Sequence, residues 1–357
     1  MSLFWLLMVK YKSSFKNWHS LKPTRIDYCQ FLLSSHTNFT ITQYANHAAH
    51  LSHDSINRFL QKDKMTSRLV WEHVKGDIVA SPFGCIVFDD SILDKNHSHH
   101  IEMVRRQYSG NAHGIIKGIG MVNCLYVNPD TGQYWIVDYR LFNPDGDGKS
   151  KLDHVKDMLL SLVAKKELSF DRVLMDTWYA TKELMLLIES LSKIYYCPLR
   201  DNRLVDDSAG QRQYCRADSL NWNAHENIHG KTVKIRGFPG NHRVKLFRVE
   251  VSTNRTDWVA TNDLAQNSLD ATQEACGMRW KIEQFHRELK QLTGVEKCQC
   301  RKARIQRNHI ACAVLVWIRL TAIARKMGQT IYHLKHGMLS DYLRQELKKP
   351  SVSMRFA

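Results

Sequence analysis

The sequence predicts an α/β fold: a mixed sheet flanked by helices, with a β-rich insertion and a helical N-terminal region. Three observations predict it. Short continuous apolar runs, of strand length, end in aspartate. Between two of them, apolar residues recur at helical spacing. Later, a stretch rich in Asn, Arg, Gly and aromatic residues breaks the strand–helix alternation.

The 357 residues carry Lys+Arg 51 against Asp+Glu 35, a net charge of +16 and a pI near 9.4. At 43% hydrophobic and 24% charged, the chain is of ordinary globular composition, which excludes a disordered or fibrous protein. The charge excess implies a polyanionic partner, with nucleic acid ahead of an anionic membrane surface. The apolar run Leu3–Val9 has no basic segment before it and no cleavage site after it, so a secretory signal is not expected. No stretch reaches about 18 uninterrupted apolar residues, so no membrane span is expected either. Nine scattered cysteines form no disulfide framework, which fits a reducing cytoplasm. Cys298 and Cys300 lack a second ligand pair at zinc spacing, and His97, His99 and His100 read as a solvated loop.

Before residue 78 the chain is rich in Ser, His, Asn and Thr. Thr42–Ala45 and Ser52–Leu60 read as two short helices, the second capped by Ser52 or Asp54. Such a pair is either a helix-turn-helix DNA reader or a plain helical subdomain. Cys85–Phe88 is a buried strand that ends in Asp89-Asp90-Ser91. Gly118–Val127 and Gln133–Phe142 form a hairpin around the turn residues Asn128-Pro129-Asp130-Thr131-Gly132. Lys151–Lys166 places Leu152, Val155, Leu159, Leu162 and Val163 on one helical face. Arg172–Met175 is a short strand ending in Asp176, then Thr181–Ser192 is a helix and Ile194–Leu199 a strand. Three strands followed by helix, strand, helix, strand is the order of a ribonuclease H-like sheet. In that architecture the first and fourth strands are neighbours, so Asp89 and Asp176 would meet.

The insertion holds two strands that alternate apolar with basic residues, Lys231–Arg236 and Val244–Val251, and a third at Asp257–Thr261. Its cationic face would either track phosphates or merely be solvated. The expected division is 1–78 helical and DNA-binding, 79–200 the first part of the catalytic core, and 201–265 the insertion. Residues 266–325 complete the core, and 326–357 form a helical tail.

Residues 278–292 are the most informative stretch. Met278, Ile282, Phe285, Leu289 and Leu292 make one apolar helical face, and Arg279, Glu283, Arg287 and Lys290 fall on a neighbouring one. Alone, this reads as a surface helix laced with ion pairs. Beside two strand-end aspartates it becomes a candidate third acid. Hard divalent cations take oxygen ligands, and two ions about 3.5–4 Å apart can activate an attacking oxygen and stabilise a departing one.

Taken together, these segments resemble bacterial insertion-sequence transposases of the DDE type, close to the IS4 and IS701 groups. The resemblance rests on Val87–Lys95, on Arg106–Gly110 with Lys117–Asn123, on Val173–Tyr179, on the insertion, and on Arg279-x3-Glu283-x6-Lys290. It spans roughly residues 75–310. It implies Asp89, Asp176 and Glu283 as catalytic and metal-binding residues, with Asp90 competing for the first place and Glu288 weakly for the third. It implies Mg2+, replaceable by Mn2+, as two ions. The expected partner is DNA, as terminal inverted repeats and target, held by a homodimer in a bacterial, nucleoid-associated setting. Arg279, Arg287, Lys290, Lys297, Arg301 and Lys302 would hold DNA. The family's tyrosine three residues before Arg279 is Cys276 here, with Trp280 a candidate substitute. Trp222 and Trp258 in the insertion read as buried aromatics rather than base-flipping residues. The implied activity is cut-and-paste transposition. The alternatives are a DNA-binding protein without catalysis, such as a domesticated transposase, and a nuclease that only hydrolyses DNA.

The charge is unevenly spread. Residues 1–84 carry +5, 85–200 carry −1, 201–310 carry +6 and 311–357 carry +6.

Overall fold

Helix capping organises the start of the described chain, which in this computed structural model comprises residues 22–351 except 49, 98, 99 and 254. The run Leu3–Val9 and His99 lie outside these residues. Helix α1 spans Arg25–Ser34, α2 Ile41–His47 and α3 His53–Lys62. Thr24 caps α1 and Ser52 caps α3, each in a reciprocal box with the residue three positions on. The two short helices expected from sequence are α2 and α3. Two compact units follow from the packing: one holds Met1–Thr66, Ser98–Glu102 and Leu289–Ala357, the other Ser67–His97 and Met103–Glu288.

The larger unit opens with α4 (Ser67–Val74), β1 (Cys85–Asp94), β2 (Arg105–Ser109), β3 (Gly114–Val127) and β4 (Tyr134–Phe142). A one-turn α5 (Pro144–Asp147), α6 (Lys151–Ala164), β5 (Arg172–Met175), α7 (Lys182–Ser190) and β6 (Ile194–Leu199) follow. β1 pairs antiparallel with β3 from Cys85↔Val127 to Asp94↔Gly118, and parallel with β5 from Cys85↔Arg172 to Phe88↔Met175. β5 pairs parallel with β6, and β4 antiparallel with β3. The order β4-β3-β1-β5-β6 is that of a ribonuclease H-like sheet, as the strand pattern predicts.

Two differences from the sequence reading have clear causes. β1 does not stop at Asp89, because β3 runs beside it as far as Asp94; only its parallel pairing with β5 ends at Phe88. β2 has the polar sequence RRQYS and carries no apolar signal, yet it pairs with the start of β3. Gly118 is required where β1 and β3 approach, since a Cβ there would lie 2.6 Å from the Leu93 carbonyl oxygen. The β3–β4 turn closes as its residues suggest: Asn128 Oδ1 accepts from the N–H of Asp130 and Thr131, and Gly132 takes φ +66°.

Strand alternation sorts the side chains. Ile86 and Phe88 of β1 and Val173 and Met175 of β5 enter one core with Val155 and Leu159 of α6 and Leu184 and Ile188 of α7. With a period of two, Val87 and Asp89, and Leu174 and Asp176, belong to the opposite face.

The insertion comprises β7 (Leu204–Asp206), β8 (Cys215–Arg216), α8 (Ala224–His229), β9 (Lys231–Ile235), β10 (Val244–Ser252) and β11 (Arg255–Thr261). β10 pairs antiparallel with β9 and β11, and β11 pairs with β6. The inserted strands thus continue the core sheet. Their apolar positions Val233, Ile235, Val244, Leu246, Trp258 and Ala260 join its core. Trp222 stacks on the buried Trp258 at 6.0 Å, so this pair is packing, as the sequence suggests. Helix α9 (Leu269–Gly277) and helix α10 (Trp280–Thr293) close the core, with Met278 and Arg279 in the turn between them.

The smaller unit is completed by α11 (Ala303–Lys326) and α12 (Ile331–Lys348). Among the described residues, α11 is long and apolar enough to cross a membrane, but 67% of that window is buried inside the structure. It is a core helix whose buried polar groups bind the N-terminal helices. His309 Nδ1 meets Tyr28 Oη at 2.9 Å, and Asn308 Nδ2 donates to the carbonyls of Leu60 and Asp63. The buried Lys335 of α12 donates to the Leu32 and Leu33 carbonyls at the end of α1.

Candidate metal centre

The parallel pairing of β1 with β5 ends at Phe88↔Met175. The next residues are Asp89 and Asp176, so the register makes them neighbours on the face away from α6 and α7. Asp89 is 9% exposed, and its Oδ1 accepts from the N–H of Asp90 at 2.8 Å. Asp176 is half-buried, and its Oδ1 accepts from the N–H of the exposed Trp178. Glu283, also half-buried, comes from α10. Ligand atoms of Asp89, Glu283 and His286 all lie within 4.8 Å of one another.

Burial pushes the Asp89 carboxyl well above its ordinary range. The charges of Asp176, Asp90 and Glu283 push it the same way, against the one hydrogen bond from Asp90. Like charges gathered in a partly desolvated place call for a cation. The donor set, two carboxylates from a strand and a helix with one imidazole beside them, fits a divalent ion.

The competing acids face elsewhere. Asp90 accepts from Lys151 Nζ at 2.6 Å and from Tyr179 Oη at 2.8 Å. Glu288 is 3% exposed and accepts from Tyr134 Oη at 3.2 Å and Gln284 Nε2 at 2.8 Å. His286 was not singled out by the sequence reading. The available signal was its spacing: it stands three residues after Glu283, on the same helical face.

The predicted DNA-contacting residues divide between the units, Arg279 and Arg287 in the larger and the other four in the smaller. Among the described residues neither Arg279 nor Arg287 forms an ion pair with Glu283. Arg279 instead lines a cavity of about 300 Å³ with Leu174, Tyr196, Val259, Cys276 and Trp280. Cys276, where the resembling enzymes carry tyrosine, has its thiol pushed up to about 12, chiefly by burial. Arg287 is exposed. In the smaller unit Lys290 pairs with Glu296 at 3.4 Å, and Lys302 with Glu102 at 3.0 Å. Lys297 and Arg301 are exposed. Cys298 and Cys300 belong to no converging metal-ligand group among the described residues, and Gln306 Nε2 donates to both their carbonyls. His97 and His100 are exposed, as a solvated loop predicts.

The family model described as DDE superfamily endonuclease matches residues 25–212, just over half of the chain. No curated protein matches the chain. Among solved structures, the chain is similar to a piggyBac transposase synaptic complex with hairpin DNA, at 8% identity over 92% of this chain and 73% of that one, with a TM-score of 0.45. It is also similar to Ciona intestinalis endonuclease V in complex with a 24mer DNA containing an inosine followed by a ribo-adenosine. There the identity is 11% over 62% of this chain and 96% of that one, with a TM-score of 0.28. For a Mos1 transposase paired-end complex with the left transposon end, the values are 13%, 50%, 60% and 0.19.

Proposed function

The chain belongs to the DDE superfamily endonucleases, and from that premise we propose that it is a DNA transposase of the bacterial IS4/IS701 kind, cutting at element ends and joining the 3′-hydroxyl to target DNA. The observation that carries this reading is that Asp89 and Asp176 directly follow the paired ends of two parallel strands, with Asp176 raising the Asp89 carboxyl by its charge and Glu283 within 4.8 Å of Asp89.

Endonucleases of this superfamily use divalent metal ions. In this reading Asp89, Asp176 and Glu283 hold Mg2+, with Mn2+ able to substitute. When bound, a pair of such ions supplies the Lewis acidity that activates water or a 3′-hydroxyl and stabilises the leaving oxygen. The protein's own part is positioning. Asp89 stands on a strand, Asp176 directly follows one, and α10 is anchored by the buried Ile282 and Phe285, so these residues would hold an ion from fixed positions. Because burial and neighbouring charges raise the Asp89 carboxyl, a proton competes there with an ion, which ties metal binding to pH. The Lys151–Asp90–Tyr179 set supports Asp89 as the first ligand, because it occupies the alternative acid. Arg279, Arg287, Lys297 and Arg301 are the candidate phosphate contacts; Lys290 and Lys302 would first have to leave Glu296 and Glu102. Residues 1–78, with α2 and α3, are the proposed end-reading region, acting in a homodimer on bacterial DNA.

The test supplies pre-cleaved element ends, Mg2+ and a target plasmid. Wild type should join ends to target, and Asp89→Ala, Asp176→Ala and Glu283→Ala should each abolish joining. Joining that survives Glu283→Ala refutes the site. Cleavage without joining in the wild type would favour a hydrolytic nuclease.

A further inference from the structure

A buried imidazole and a buried amide lie against the acidic centre without a part in the reading above. His286 is 5% exposed, and one of its ring nitrogens lies within 4.8 Å of ligand oxygens of both Asp89 and Glu283. Asn123 is fully buried and is the direct cross-strand partner of Asp89 in β3. Its Nδ2 donates to the Met121 carbonyl at 3.1 Å and lies 2.9 Å from His286 Nε2. Its Oδ1 is buried and has no hydrogen-bond partner. Such an orphan costs about 1–3 kcal/mol and is rare in folded proteins.

We propose that His286 supplies an imidazole nitrogen to an ion held by Asp89 and Glu283, with the Asn123 amide as its steering partner, so that the centre favours Mn2+ over Mg2+. This rests on the acidic-centre reading above. A neutral imidazole binds a metal through one nitrogen and keeps its proton on the other. If the ion takes Nε2, the Asn123 donor must leave that lone pair. If it takes Nδ1, Nε2 carries the proton and needs an acceptor where Nδ2 now stands. In the second case a turned amide presents to that N–H the oxygen that now lacks a partner, giving up its Nδ2 bond to the Met121 carbonyl. Metal selectivity follows from the donor set. Mg2+ prefers an all-oxygen shell, whereas imidazole suits the first-row transition ions.

The experiment loads the full-length protein with Mn2+ and reads nitrogen coupling at the ion by pulsed electron paramagnetic resonance. Wild type should show a directly bound nitrogen, and His286→Gln should lose it. The Mn2+ dissociation constant should weaken about 10-fold or more in that variant, with Mg2+ affinity changed by less than about 3-fold. Asn123→Ala should keep the nitrogen signal but weaken Mn2+ about 10-fold. Mn2+ bound through Asp89 and Glu283 with no nitrogen signal in wild type overturns the role of His286 alone. Mn2+ that fails to bind, or binds equally in Asp89→Asn and Glu283→Gln, overturns the acidic centre as well. The wild-type spectrum decides the matter even where a variant does not fold.

Discussion

Replacing Asp89 with asparagine should make the metal-free protein more stable while ending its response to metal. The substitution keeps the shape and the acceptor for the Asp90 N–H, and removes one negative charge. Ligand oxygens of Asp89 and Glu283 lie within 4.8 Å. At an effective permittivity of about 20, two unit charges at that separation repel by about 3–4 kcal/mol. Protonation offers Asp89 an escape, but keeping a carboxyl of ordinary value 3.8 neutral at about pH 7 costs about 4 kcal/mol at ~1.4 kcal/mol per pH unit. The protonation route therefore caps the gain at about 4 kcal/mol, or about 5–15 °C in melting for a unit of this size. The pH dependence has a definite sign. The folded carboxyl titrates above its unfolded value, so the folded state holds that proton more tightly. Stability therefore falls as pH rises from the ordinary carboxyl range through the raised folded value, then levels off. Thermal melts in EDTA should show no advantage for Asp89→Asn near pH 3 and a clear one at pH 7. Adding Mg2+ at pH 7 should raise the wild-type melting point and leave the variant unmoved. A variant that is less stable than wild type in EDTA at pH 7, or that gains equally from Mg2+, would refute the reasoning.

Two further outcomes separate the structural groups from the metal-facing ones. Asp90→Asn keeps one acceptor oxygen but sets an NH2 donor against either Lys151 or Tyr179 and removes the charge that pairs with Lys151; it should cost about 1–3 kcal/mol in urea unfolding, while Mn2+ binding measured by calorimetry persists; loss of that binding would transfer the first-ligand role to Asp90. Lys335 is 3% exposed and burial pushes its ammonium down to about 8, below its unfolded value. The unfolded chain then binds more protons above that point, so stability should rise by about 1–2 kcal/mol between about pH 7.5 and 9.5; denaturation curves of Lys335→Met should lack that rise.

Much of the fold was legible because burial on both sides of a sheet writes itself as unbroken apolar runs. Cys85–Phe88 and Arg172–Met175 each print a strand followed by an acid, and the apolar face of α10 prints a helix carrying Glu283. Short helices were legible through their caps, as with Ser52 before α3. β2 was not, because a polar strand owes its conformation to the backbone of β3 rather than to its own side chains. Likewise, the insertion reads in sequence as a separate ribbon, and only the β6–β11 pairing makes it part of the core sheet.

At the candidate centre the division is sharper. Residue type and order single out Asp89, Asp90, Asp176 and Glu283 as carboxylates of interest. Which ones face one another depends on the two-residue alternation of β1 and on what packs against each side. Asp90 meets Lys151 and Tyr179, whereas Asp89 meets α10. His286 and Asn123 are 163 positions apart and carry no shared signal in the chain. The sequence by itself determined the order of elements and the acids they carry, because local burial and periodicity are written residue by residue. The tertiary structure alone decided which charges converge and which are neutralised, because that depends on strand register and helix docking between distant segments.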